Sequence, residues 1–346
     1  MSQGLLKNVW YVAALSSQIK KESFITRIIQ NEPLVIVRNS VGELYALKDI
    51  CPHRGIPLSY GRLVNNEMEC FYHGWTFNNE GTCTNIPSLC QGQDLDCRKI
   101  KVKNYPVKEQ QGIIWIFFGD KGFDVTKAPE IPLMKNLPLD ARPHVIEIEK
   151  FPCHIDHAVI GLMDPAHGPY VHKSWIWRSE NTAYEKRKKF APVQFGFQMV
   201  RHKPSENSKA YKLLGGVPTT EITFTLPSVR IEHIKVGERN LYSFTGLTPV
   251  NEKETTIHQL LYWDMPWLTL ATPLVKKFAN FFLHQDIDAV SKQQDGLKYD
   301  PSLMLIKDAD AQAKWYFSLK EEWTKHQEES RSFVNPVKET ELRWKS

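Results

Sequence analysis

The sequence predicts an α+β protein of two domains: an all-β N-terminal domain, then a domain in which an antiparallel sheet is flanked by helices. Three observations predict it. The first third carries β-branched or alternating runs, "PLVIVRNSVGELYALKDI" around a Ser-Val-Gly turn and "GIIWIFFG", each bounded by turn residues. Residues 121–143, "KGFDVTKAPEIPLMKNLPLDARP", are rich in Pro, Asp and Lys, have no sustained periodicity and are expected to be a linker. The remainder mixes a helical stretch near 155–168, strand-like runs such as "TTEITFTLPSVRIEHIKV" and "TTIHQLLYWDM", and helices from about Pro273 to the end. The domains expected are therefore 1–120 and 144–346. In the last helical segment Trp315, Leu319 and Trp323 recur at helical spacing, a packing stripe.

Composition narrows the function classes. A chain of 346 residues, 42% hydrophobic and 24% charged, is long enough for two cores. Its net charge of +5 is spread over 44 basic and 39 acidic residues without a Lys/Arg block, which argues against nucleic acid. The start, "MSQGLLKNVWYVAAL", lacks a basic head and a continuous apolar stretch, and no run approaches the ~18 apolar residues of a membrane span. The expectation is a cytoplasmic protein without a membrane. Six cysteines, at 51, 70, 83, 90, 97 and 153, are too sparse for a disulfide framework. Metal ligation is the better use for some, with Cys83, Cys90 and Cys97 read as plain thiols.

Half of the 12 histidines fall in two short segments: His53 and His73, then His154, His157, His167 and His172. In "CPHRGIPLSYGRLVNNEMECFYHGW", Cys51 and His53 are one residue apart, Cys70 and His73 two, and Pro52, Gly55, Pro57 and Gly74 place both pairs on loops. Structural zinc sites usually pair Cys with Cys and His with His two to four residues apart, so Cys-x-His fits zinc poorly. A two-iron cluster suits it better, one iron taking thiolates and the other imidazoles. "CPHRGIPLSYG" followed by "CFYHGWTFNNEGTC" resembles the Rieske [2Fe-2S] motif of ring-hydroxylating oxygenases. The resemblance implies thiolates from Cys51 and Cys70 on one iron and imidazoles from His53 and His73 on the other.

A second cluster lies in "GLMDPAHGPYVHKSW", with Asp164, His167 and His172. Two histidines and a carboxylate with open positions form the face used by non-heme Fe(II) oxygenases. On a regular helix Asp164 and His167 share a face, but His172 is rotated about 140° from His167 at ~100° per residue. Gly168 and Pro169 are expected to bend or end the helix and so turn His172 back. Cys153, His154 and His157 form a rival set, better read as packing or hydrogen bonding.

Asp-x-x-His-x-x-x-x-His is similar to the iron-binding pattern of Rieske non-heme iron oxygenases, and the resemblance now runs nearly the full length, loosely between about 175 and 280. It implies a helix-grip, START-like catalytic domain with mononuclear Fe(II) on His167 and His172. The family's carboxylate comes from a downstream helix, and "FLHQDIDAVSKQQDG" matches with Asp286, Asp288 being the rival. Asp164 would bridge His73 of a neighbouring subunit's cluster to His167, which implies a head-to-tail ring, usually a homotrimer. Ile160 and Gly161 stand where many relatives carry Asn or Glu-Asn.

The function expected is the terminal oxygenase of a vanillate-demethylase-like or phenylpropionate-dioxygenase-related system. Electrons from NAD(P)H would arrive through a separate reductase or ferredoxin, and O2 would be activated for hydroxylation or demethylation of an aromatic or other organic molecule, monooxygenation being favoured. The alternatives are a Rieske electron-transfer or redox-sensing protein whose second domain only binds a ligand, and a zinc-stabilised binding module.

Overall fold

A computed structural model describes residues 4–172, 180–205 and 214–346. The chain divides into two compact units, Lys7–Ile131 with Pro138–Ala141, and chiefly Pro132–Leu137 with Arg142–Ser346. The stretch expected as a linker thus contributes to both.

The first unit is all β, with three antiparallel sheets. Strands β1 (Val9–Leu15), β10 (Val107–Gln110) and β11 (Ile113–Phe118) form one, with β11 in the middle. Every residue of β1 and β11 is buried, as their uninterrupted apolar sequences require. A second sheet orders β2 (Ser23–Ile29), β3 (Glu32–Arg38), β4 (Leu44–Lys48) and β9 (Asn104–Tyr105). The third, β5 (Arg62–Val64), β6 (Glu67–Glu69), β7 (Thr76–Phe77) and β8 (Cys83–Asn85), is built of short strands. One core joins the last two sheets, and Cys51 and Cys70 lie in it beside Val35, Leu47, Met68 and Phe77.

The second unit carries an eight-stranded antiparallel sheet. Its strands are β12 (Val145–Phe151), β13 (Glu185–Val193), β14 (Gly196–His202), β15 (Pro218–Thr225), β16 (Val229–Val236), β17 (Arg239–Asn251), β18 (Glu254–Trp263) and β19 (Thr340–Lys345). The order is β12-β18-β17-β16-β15-β14-β13-β19, a meander with β12 closing one edge and the C-terminal β19 the other. Among the described residues the α-helices are α1 (Ile155–Met163), α2 (Gly168–Val171), α3 (Pro266–Leu270), α4 (Thr272–Leu297) and α5 (Ala311–Glu328). Helix α4 packs on β12 and α1, while α1 also meets β17 and α5. Leu319 and Trp323 of α5 are buried, and Trp315 packs edge-on against Phe190 and Phe197, so the stripe serves packing.

Two sequence expectations need correction. The helix near 155–168 ends at Met163, not at Gly168-Pro169: Asp164 is extended (φ −68°, ψ 118°), as a residue before a proline is driven to be, and Pro165 follows it. Pro169 instead sits in the first turn of α2, where its missing N–H is harmless. The C-terminus is not all helix, since Thr340–Lys345 alternates exposed and buried residues and pairs with β13. No described helix is long and apolar enough to cross a membrane.

Candidate metal centres

In the first unit the two Cys/His loops repeat one backbone design. The Cys51 N–H donates to Ile56 O (2.8 Å) and Gly55 N–H to Cys51 O (2.9 Å); the Cys70 N–H donates to Trp75 O (2.8 Å) and Gly74 N–H to Cys70 O (3.0 Å). Each loop turns on a glycine with positive φ, Gly55 at 75° and Gly74 at 70°, a conformation a side chain disfavours. The loops set thiol beside thiol and imidazole beside imidazole. Cys51 and Cys70 are buried and within hydrogen-bonding reach of each other, and the His53 and His73 rings are 4.5 Å apart, nearer the surface.

Burial, with the Cys70 thiol beside it, pushes the Cys51 thiol up to about 11. A bound cation would therefore have to displace its proton. His53 also stacks on Trp75 at 4.5 Å, and the buried Trp75 Nε1 has no hydrogen-bond partner among the described residues, a donor open to a bound group. The four side chains do not converge on one point, as the ligands of a single tetrahedral ion must. Two thiols on one side and two imidazoles on the other fit a two-iron cluster.

Among the described residues, one set of three His, Cys, Asp or Glu ligand atoms lies within 4.8 Å of one another: His167, His172 and Asp286. His167 Nε2 is 3.1 Å from His172 Nε2 and 3.8 Å from Asp286 Oδ1, which is 3.1 Å from His172 Nε2. The other ring nitrogens are held by acceptors. His167 Nδ1 donates to the Asp164 carbonyl (2.8 Å) and His172 Nδ1 to Gln285 Oε1 (3.0 Å), which leaves both Nε2 lone pairs for a ligand. Two such lone pairs and a carboxylate oxygen at these distances repel one another unless a cation or a proton lies between them, so the donor set fits a divalent ion.

The break at Asp164-Pro165 positions these groups: His167 caps the short α2 and His172 closes it, so four residues of helix turn both rings to one side. Asp286 arrives from α4, whereas Asp288, two residues on and about 200° around the helix, pairs with Lys292 at 2.6 Å in solvent. Asp164 has its carboxylate Oδ2 3.7 Å from His167 Nδ1 and accepts from the Ala166 N–H. Burial raises its carboxyl above the ordinary range and lowers the His167 imidazole below its own, favouring neutral His167.

The rival Cys153 set does not gather. Cys153 is buried, with burial pushing its thiol up to about 12, and His154 caps α1 by accepting from the Asp156 N–H. Gln285 belongs to the Gln-Asp pair that the family resemblance picks out in the sequence, but its aim at His172 was not readable there.

Beside the three-residue centre lies a cavity of about 400 Å³ between the sheet and α4. Side chains alternate across a strand, so Arg230, Glu232 and Ile234 of β16 face it while Ile231 and His233 face a separate hollow behind. The register continues the row: Arg230 opposes Thr245, which opposes Gln259. Val275, Phe278, Phe282 and Leu283 of α4 form the opposite, apolar wall. Arg230 is paired with Glu232 at 3.2 Å. A Cβ at Gly161 would meet no heavy atom within 4 Å, so the wall is open at this point.

Fold and geometry together describe an all-β unit with paired Cys/His loops and a helix-on-sheet unit that gathers two histidines and a carboxylate, a donor set fit for a metal ion. Residues 9–106 match the Rieske [2Fe-2S] domain family. The chain is 28% identical over 320 residues to Protein TIC 55, chloroplastic, of Arabidopsis thaliana, covering 90% of this chain and 56% of that one. It is 35% identical over 170 residues to the oxygenase component of dicamba O-demethylase of Stenotrophomonas maltophilia, covering 49% and 48%. The crystal structure of dicamba monooxygenase bound to dicamba superposes with a TM-score of 0.75 at 24% identity, over 94% of this chain and 99% of that one. The chain spans about half the length, or less, of the curated relatives it matches. It carries a Rieske [2Fe-2S] domain, is related to the Rieske non-heme iron oxygenases and has their fold.

Proposed function

We propose that the chain is the terminal oxygenase of a Rieske non-heme iron system, with Cys51, Cys70, His53 and His73 holding the [2Fe-2S] cluster and His167, His172 and Asp286 the mononuclear Fe(II). The observation that carries this reading is the second centre: two Nε2 atoms and one carboxylate oxygen aimed at a common point, on the edge of a cavity large enough for an organic molecule. Iron held there supplies the activation of O2.

The chain's own residues do the rest. The Asp164 carbonyl and Gln285 hold the imidazoles in one tautomer and one orientation. The apolar wall of α4 excludes water, and the Arg230–Thr245–Gln259 row offers hydrogen bonds that orient a substrate. Hydroxylation or demethylation by monooxygenation is the reaction favoured, in line with the names of dicamba O-demethylase and 4beta-methylsterol monooxygenase among the relatives.

Electrons would come from NAD(P)H through a separate reductase or ferredoxin. Asp164, touching His167 by both carbonyl and carboxylate, is the residue we place between this centre and His73 of a neighbouring subunit in a head-to-tail homotrimer. His73 is exposed while both cysteines are buried, so an imidazole is the cluster's outward face. A reducing compartment, expected as the cytoplasm, fits six free cysteines.

The test supplies the purified chain with a surrogate reductase, NAD(P)H and a panel of aromatic and alicyclic compounds. Substrate-dependent O2 uptake with a product heavier by one oxygen, or lighter by one methylene, supports monooxygenation. Uptake without any product across the panel would contradict it.

A further inference from the structure

Helix α3 and the first half of α4 present an apolar surface to solvent. Trp267 is 48% exposed, Leu270 87%, Leu274 58%, Phe278 37% and Phe281 49%. On α4, at ~100° per residue, Leu274, Phe278 and Phe281 form one stripe, with Lys277 about 60° to its side. Apolar surface in such a block marks a contact with a protein or a membrane. From Met265 to Gln285 there is no acidic residue, and both charged side chains are lysines, Lys276 and Lys277. Trp, Phe and Leu on one face with lysine beside it is the composition of a helix that lies in a membrane interface.

The cavity decides between the two. Phe278 belongs to the exposed stripe and also lines the cavity, and Phe282, a further turn around, lines it as well. The cavity therefore reaches the surface along the edge of the stripe. A protein held permanently on the stripe would cover that mouth, whereas a bilayer would extend the same apolar medium into it.

We propose that the exposed face of α3 and α4 docks on an anionic lipid bilayer, and that a neutral, lipid-soluble substrate passes from the bilayer past Phe278 to the centre formed by His167, His172 and Asp286. The neutral class follows from the pairing of Arg230 with Glu232, which leaves that cation already matched. The docking departs from the expectation of a protein without a membrane; it requires no spanning helix. The substrate's route rests on the function proposed above, but the docking is read without turnover, so the two can fail separately.

The experiment sediments the full, cluster-loaded chain with vesicles of phosphatidylcholine, with and without phosphatidylglycerol. Binding to the anionic vesicles, weakened by salt, is the expected result. Leu274→Glu with Phe281→Glu reduces it about tenfold or more, and Lys277→Glu reduces the preference for anionic lipid about fivefold. A cooperative thermal melt at the wild-type temperature reports that the unit carrying α3 and α4 is folded in each variant, and Lys277→Glu, on the surface, tests the docking even if the double variant misfolds. The proposal is overturned if the wild type binds neither vesicle, or if the double variant melts like the wild type but changes oligomeric size, which would make the stripe an interface between copies.

Discussion

His172 Nδ1 donates to Gln285 Oε1 at 3.0 Å, and its Nε2 faces the carboxylate of the next residue, Asp286, at 3.1 Å. Two consecutive side chains of one helix thus address the two nitrogens of one ring. Gln285→Leu removes the acceptor while keeping the bulk. Iron affinity of the second centre, or turnover, is expected to fall about 10–100-fold. The cluster spectrum should not change, and Gln285→Glu, which keeps an acceptor, should retain the metal. Iron titration of the three proteins checks this.

Asp164→Asn preserves the oxygen that accepts the Ala166 N–H and leaves the backbone carbonyl on His167 untouched. Both metal contents are expected to stay at wild-type level while product formation stops. Near-normal turnover would refute the bridging role.

The outline of this site was legible because its chemistry is local. Cys51 with His53, Cys70 with His73, and His167 with His172 are short-range patterns, and short-range spacing is what a sequence displays directly. The break at Asp164 was legible in principle, since Pro165 restricts the residue before it; attention to Pro169 misplaced it by four residues. What the chain could not display is long-range. Tyr316 and Lys320 meet Asp156 across 160 and 164 residues, β19 finds β13 from the far end, and which parity of β16 faces the cavity depends on where α4 lies.

Lys320 and Asp156 form a buried pair at 2.6 Å, each about 2% exposed or less, and the Tyr316 hydroxyl donates to the same carboxylate oxygen at 2.7 Å. Burial pulls the Lys320 ammonium below the ordinary lysine value, with Asp156 acting against it. Lys320→Met leaves a buried carboxylate without its cation and is expected to cost about 3–5 kcal/mol. Adding Asp156→Leu should recover much of that loss. Denaturant titration of the single and double variants measures both.

The Arg331 guanidinium grips the Glu322 carboxylate with two nitrogens, and the Val334 N–H adds a third donor. These bonds hold the Glu322 carboxyl down to about 2, against about 4.3 for a free glutamate. A carboxyl depressed by folding stabilises the fold above its unfolded pKa and loses that contribution as pH falls through its folded one. The stability gap between wild type and Glu322→Gln is therefore expected to be full at pH 5 and above, to shrink below about 4.3 and to close near 2. Thermal melts across that range would read a constant gap if the pairing were idle.

The most direct test of the central claim counts iron against acid-labile sulfide in the wild type and in His167→Ala. A Rieske cluster plus a second iron on His167, His172 and Asp286 gives about three irons to two sulfides per chain, falling to about two and two in the variant with the cluster spectrum intact. Two irons to two sulfides in both proteins would contradict it.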